Sequence, residues 1–133
     1  MNKMTIDNYA ISATFYNRDD YAILNYTHKI MGRIIPKGFK WNGSSIPLFL
    51  CSLLMVDPFH PDVRLASLVH DYDYKSGKDR KEADQTYRDL WMHAGRNKKW
   101  YRRWTHNVRG HAMYIGLRIG GGKAYRDCQK DGE

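Results

Sequence analysis

The sequence predicts an α+β fold: a small N-terminal antiparallel sheet packed on a helical hairpin and a basic C-terminal helix. Three observations predict it. β-branched and aromatic residues dominate from Thr5 to Trp41, the apolar spacing turns helical after Pro47, and the helical part is divided by turn residues at Gly77 and Gly95. A chain of 133 residues holds one domain with one core.

The first forty-odd residues read as strands. Ile6, Tyr9, Ile11, Thr14 and Phe15 precede a polar break at Asn17-Arg18-Asp19-Asp20, and Tyr21, Ile23, Tyr26, Ile30 and Ile34 follow it. This pattern predicts a hairpin and a third strand. The stretch from Ile34 to Trp41 then enters Asn42-Gly43-Ser44-Ser45, a turn-forming cluster, so residues 1–45 are mainly strands and loop. Residues 46–119 read as helices. A short apolar segment runs to about Val56 and breaks at Asp57-Pro58. The next helix starts near Pro61, with Asp62 at the positive end of the dipole, and runs to Gly77. Asp79 and Glu82 form a capping box for a helix reaching about Gly95. A last helix spans about Lys98 to Ile119, and residues 120–133 read as a polar tail after Gly120-Gly121-Gly122.

Hydrophobic residues at 42% and aromatics at 14% describe a folded globule, not a disordered segment. The longest apolar stretch, Ile46 to Val56, contains Pro47, Cys51 and Ser52, so no transmembrane span is expected. The N-terminus has a lone lysine and no apolar core of a signal peptide, which makes the cytosol the expected compartment. Cys51 and Cys128 have neither metal-ligand spacing nor a disulfide framework and are expected to be free thiols.

The formal net charge is +8, from 22 basic and 14 acidic residues, and it is concentrated. Arg96, Lys98, Lys99, Arg102, Arg103, Arg109 and Arg118 lie in a stretch without Asp or Glu, interleaved with Trp100, Tyr101 and Trp104. One reading is a surface that follows a phosphate backbone while offering rings to bases, or that attracts an anionic lipid surface. The other is a solvated helix face whose aromatics, at core-like spacing, point inward.

The chemistry concentrates on the helical hairpin. In Leu68-Val69-His70-Asp71-Tyr72-Asp73-Tyr74, His70 and Tyr74 are four apart and share a helix face. The turn to Arg80-Lys81-Glu82-Ala83-Asp84 is short, so the helices pack antiparallel and Asp84 is expected to face His70. A facing carboxylate fixes the imidazole tautomer and makes the other nitrogen a better base. Asp71, about 100° round the helix, suits a cation beside that base. The competing reading is a structural polar network in which Asp71 and Asp84 pair with arginines such as Arg80 and Arg88.

The ordered set Ile35-Pro36-Lys37-Gly38-Phe39, Asn42-Gly43-Ser44-Ser45-Ile46-Pro47, His70-Asp71-Tyr72-Asp73-Tyr74, Arg80-Lys81-Glu82-Ala83-Asp84 and Gly120 to Tyr125 closely resembles a bacteriophage and prophage family, domain of unknown function 1353. The resemblance spans about residues 34 to 125 and implies a phage origin, hence the host cytoplasm or the virion. A more distant resemblance concerns mechanism: His-Asp-x-x-Tyr followed by Ala-Asp on an antiparallel helix is similar to the core of secreted and parvoviral phospholipases A2. That resemblance implies His70 as general base, Asp84 and Tyr74 as its supports, and Asp71 with the loop at Asn42 and Gly43 as ligands of a divalent cation, calcium first and zinc second. Leu68-Val69-His70-Asp71 also resembles the central motif of HD-type metal phosphohydrolases, whose upstream helical His has only His28 and His60 as counterparts here. The function expected is therefore a phage-encoded, metal-assisted hydrolase of phospholipids or other esters. The alternative is a non-catalytic virion or host-interaction component. It would bind a protein, nucleic acid or anionic surface through Arg96, Lys98, Lys99, Trp100, Arg102, Arg103 and Trp104.

Overall fold

The computed structural model describes residues 13–16, 21–41, 54 and 63–131. Their architecture is α+β, with short strands preceding four helices. Strand β1 (Ala13–Tyr16) pairs antiparallel with β2 (Tyr21–Leu24), Tyr16 opposite Tyr21, on either side of the polar break. Next in the chain come β3 (His28–Ile30) and β4 (Arg33–Ile35), which pair with each other and, among the described residues, with no other strand. Met31 and Gly32 join them, both at positive φ (51° and 82°), which matches the right-handed twist of the two strands. The third strand of the first sheet is β5 (Lys40–Trp41), which pairs with the free edge of β2. The sequence pattern thus anticipates the hairpin; where it expects one further strand, three short ones follow, β3 and β4 in a separate sheet and β5 on the first. Alternation places Ala22, Leu24, Ile30, Ile35 and Trp41 in the core.

Helix α1 spans Arg64–Lys75, later than the expected start; Pro61, Asp62 and all of the segment at 46–56 except Leu54 lie outside the described residues. Its C-terminus is a Schellman turn. Gly77 sits at φ 81°, the amide of Lys78 donates to the Asp73 carbonyl at 3.0 Å, and the Gly77 amide donates to the Tyr74 carbonyl. Helix α2 (Arg80–Ala94) begins at the predicted cap, where the Glu82 amide donates to the Asp79 carboxylate at 3.1 Å. Helix α3 spans Trp100–Gly120.

The polar tail is in fact a further helix, α4 (Gly122–Asp131). Tyr125 and Cys128, three residues apart, pack on Tyr74 and Ala83. The Tyr125 hydroxyl donates to the Lys78 carbonyl at 2.9 Å, and the Gln129 side chain donates to the Tyr74 carbonyl. The segment is too polar to announce a helix by its pattern; docking against the α1–α2 turn orders it.

The hairpin is tied to α3 away from the turn by a reciprocal pair. Trp91 Nε1 donates to the His106 carbonyl at 2.7 Å, His106 Nε2 donates to the Trp91 carbonyl at 2.5 Å, and the two rings stack with centroids 5.3 Å apart. Gly110 makes this approach possible, because a Cβ there would lie 2.6 Å from Trp91 Cδ1. Gly110→Ala gains about 1 kcal/mol of helix propensity but forces a fully buried indole to move, which costs about 1–3 kcal/mol in overpacked cores. Urea unfolding is expected to show a net loss of stability; a more stable variant would mean that Trp91 shifts freely.

Candidate functional site

The Schellman turn folds α2 back along α1 and brings Asp84 opposite His70, as the spacing predicts. Asp84 Oδ1 accepts from His70 Nε2 at 2.8 Å and from the Tyr74 hydroxyl at 2.6 Å. Asp84 Oδ2 accepts from Arg118 Nη1 at 3.0 Å, and Arg80 Nη1 stands 3.9 Å away. His70, Tyr74, Asp84 and Asp71 are all completely buried. The rings add packing: His70 lies with its centroid 4.1 Å from Tyr74 and 5.1 Å from Tyr87, and Tyr74 meets Tyr125 of α4 edge-on at 5.0 Å.

Burial raises the affinity of Asp84 for a proton, but hydrogen bonds from His70, Tyr74 and Arg118 outweigh it and hold the carboxyl below its ordinary value of 3.8. The same contacts act oppositely on Tyr74, whose hydroxyl is pushed well above its ordinary range by burial and by its bond to the Asp84 carboxylate. An ionised carboxylate only accepts, so His70 Nε2 carries the proton and a neutral imidazole has its lone pair on Nδ1. That is the tautomer a general base requires.

Of the arginines considered as partners for Asp84, Arg80 is within ion-pair distance, but its guanidinium mainly donates to the Leu117 carbonyl at 2.9 Å and the Arg118 carbonyl at 3.3 Å. Arg88 turns instead to Asp89, at 3.6 Å, and to the face of Tyr114. The hydrogen-bonded partner is Arg118, which the sequence placed only in the basic stretch; no local spacing links it to Asp84, 34 residues away. Arg33 is also invisible to sequence reasoning. It grips buried Asp73 through Nε at 2.6 Å and Nη2 at 2.8 Å, tying the β3–β4 hairpin to α1.

The proposed cation ligands are only partly placed. Asp71 follows His70 in the chain and is buried, whereas Asn42 and Gly43 lie outside the described residues. Among the described residues no cluster of three or more His, Cys, Asp or Glu could hold a metal ion. His28 falls on β3 and not on a helix, and His60 is outside the described residues.

The basic stretch departs from the inward-aromatic reading. Lys99, Trp100, Tyr101, Arg102, Arg103 and Trp104 are all exposed, as is Arg96, whose guanidinium donates to the His93 carbonyl at 2.9 Å; Lys98 is half-buried. The buried face of α3 is His106, Gly110, Met113 and Leu117. The aromatics of the first turn fall outside that 4-3-4 spacing.

An α+β domain whose helical hairpin encloses a His–Asp–Tyr network is the class that this geometry defines. The chain belongs to a family described as "Protein of unknown function (DUF1353)", which matches residues 21–114. The matched span holds β2 to β5, the hairpin with His70 and Asp84, and α3 as far as Tyr114; the Gly120 to Tyr125 motif lies beyond it. No curated protein and no solved structure matches the chain. No helix among the described residues is long and apolar enough to cross a membrane.

Removing the Asp84 carboxylate takes one acceptor from His70, Tyr74 and Arg118 together. Asp84→Ala is expected to cost about 3–5 kcal/mol, the range for breaking a buried ion pair, as measured by urea unfolding. Because the folded pKa of Asp84 is depressed, its contribution is complete above the ordinary carboxylate value of 3.8 and is lost as pH falls through the lower folded value. The stability difference between the native chain and Asp84→Asn should therefore shrink on acidification below that value. A constant difference would show that the carboxylate is not depressed.

Proposed function

We propose that the chain is a phage-encoded hydrolase of phospholipids or related esters, with His70 as general base and Asp84 and Tyr74 as the groups that orient it. The observation that carries this reading is Asp84 Oδ1, shared at 2.8 and 2.6 Å by His70 Nε2 and the Tyr74 hydroxyl from one face of the opposite helix. In the reaction, His70 Nδ1 takes a proton from water as the water oxygen bonds to the ester carbonyl carbon. Asp84 stabilises the imidazolium that results, and His70 returns the proton to the departing alkoxide as the ester C–O bond breaks. Asp71, with Asn42 and the Gly43 carbonyl, would hold a divalent cation, calcium before zinc, that polarises the carbonyl. Tyr74, kept protonated by its environment, only donates to Asp84 and does not exchange protons with substrate.

A second reading is favoured by one observation: His70, Tyr74 and Asp84 are completely buried. Three such side chains serve as a pin between helices, and the exposed rings and cations at the start of α3 then carry the function. In that reading the chain is a non-catalytic virion or host-interaction component that engages a protein, nucleic acid or anionic phospholipid.

The two are separated by assaying fatty-acid release from mixed phospholipids at millimolar calcium, alongside calcium calorimetry. The hydrolase reading expects release by the native chain and a drop of about 10²–10⁴-fold in His70→Asn, the range for losing a general base. The circular dichroism of the variant should be unchanged. No release and no calcium binding by the folded native chain would leave the binding component as the function.

A further inference from the structure

Helix α3 is apolar on two opposite faces. His106, Gly110, Met113 and Leu117 form the buried one. On the other side Trp100, Trp104, Val108, Ile115 and Ile119 are 74, 68, 48, 57 and 83% exposed. At about 100° per residue these five fall within an arc of about 100°, and they extend over about 28 Å of helix. A stripe this exposed buries little apolar surface in the fold; among the described residues it is a face left open.

Beside the stripe lies a cavity of about 240 Å³ lined by Lys98, Tyr101, Arg102, Thr105, His106 and Arg109. Three of the six are cationic and none is acidic. Its walls are braced: Arg109 Nη2 donates to the Leu54 carbonyl at 3.1 Å, Thr105 to the Tyr101 carbonyl at 3.0 Å, and His106 to the Trp91 carbonyl. The cavity also flanks the first turn of α3, where Lys99 makes no side-chain cap and the helix dipole adds positive potential. Guanidinium and ammonium groups gathered around a small open space, one of them held by the Leu54 carbonyl, are the chemistry that seats a phosphate.

We propose that α3 is an interfacial membrane helix: its outer stripe enters the surface of an anionic bilayer while the Lys98–Arg102–Arg109 cavity seats a lipid headgroup phosphate. Charge selects this occupant. No Asp or Glu lies between Asp89 and Asp127, so a second copy laid along α3 would bring basic flank against basic flank. A nucleic acid would satisfy the cations and stack on the tryptophans, but it leaves Val108, Ile115 and Ile119 in water. A bilayer takes all three features together: tryptophans at the headgroup level, aliphatics below it and cations against the phosphates. The proposal rests on the binding-component reading, to whose exposed rings and cations it assigns one occupant, and does not depend on His70 being catalytic.

The test is co-flotation of the full chain with vesicles of phosphatidylcholine, with or without phosphatidylglycerol, at low and high salt. Binding is expected only with phosphatidylglycerol, with a blue shift of tryptophan emission and loss at high salt. Removing two charges from the cavity, Lys98→Gln with Arg102→Gln, should weaken binding by about 30-fold. Lys99→Gln with Arg103→Gln, outside the cavity, should weaken it several-fold less. Ile115→Ser with Ile119→Ser should weaken it without loss of fold, since both side chains are exposed. Equal losses in the two charge pairs would overturn the headgroup seat. The membrane proposal fails if vesicles are not bound, and the arms with inorganic phosphate, single-stranded DNA and sedimentation of the chain alone then identify a free anion, a nucleic acid or a second copy as the occupant. Fatty-acid release is measured separately, so failure of docking and failure of hydrolysis are distinguishable.

Discussion

The hairpin depends on one buried carboxylate. Asp84 has no exposed surface, and an isolated charge there would be prohibitively costly, so the fold must supply donors. It supplies them from His70 and Tyr74 on α1 and Arg118 on α3, with Arg80 nearby on α2 itself. Three helices therefore meet at two oxygen atoms, and their relative placement follows from satisfying them. The carboxylate's depressed pKa is the thermodynamic expression of that arrangement.

Other ties protect this centre. Arg80 donates to the Leu117 and Arg118 carbonyls near the end of α3, which holds Arg118 close to Asp84. Helix α4 lays Tyr125 on Tyr74, and Gly121 comes so near the Tyr74 hydroxyl that a Cβ there would lie 3.3 Å from it. Farther along the hairpin, the Trp91–His106 pair and Gly110 fix α2 on α3. Arg33 on β4 holds Asp73, so the smaller sheet is anchored to the helix that carries His70. A polar network held at this many points has its geometry set by the packing around it.

Both functional readings use this geometry. A base needs its tautomer fixed, and a pin between helices needs its charges satisfied; the same hydrogen bonds do both. The two readings part over access, since His70 must meet water in one and never does in the other. The outer stripe and cavity of α3 belong to neither reading's buried centre, and they give the molecule a surface with one sign of charge and two kinds of apolar side chain. A membrane surface is where both the hydrolase and the binding component would find an ester or an anionic headgroup.

The sequence by itself determined the elements whose signals are local. The capping box at Asp79, the turn at Gly77 and the four-residue spacing of His70 and Tyr74 all act within a turn of helix, so the hairpin and the His70–Asp84 pairing could be read directly. The change from strand-like to helical spacing likewise separated the strands from helices α1 to α3. Only the tertiary structure decided the rest. Arg118 reaches Asp84 across 34 residues and Arg33 reaches Asp73 across 40, and no pattern encodes such partners. Helix α4 is short and polar, and Tyr125 and Cys128 dock it by packing on Tyr74 and Ala83, contacts that no local pattern announces. Whether the aromatics of α3 face in or out was decided by where the rest of the chain packs. The spacing of Trp100 and Trp104 is the same in a core as on a surface, and only the placement of α2 and α3 against each other left those rings outside.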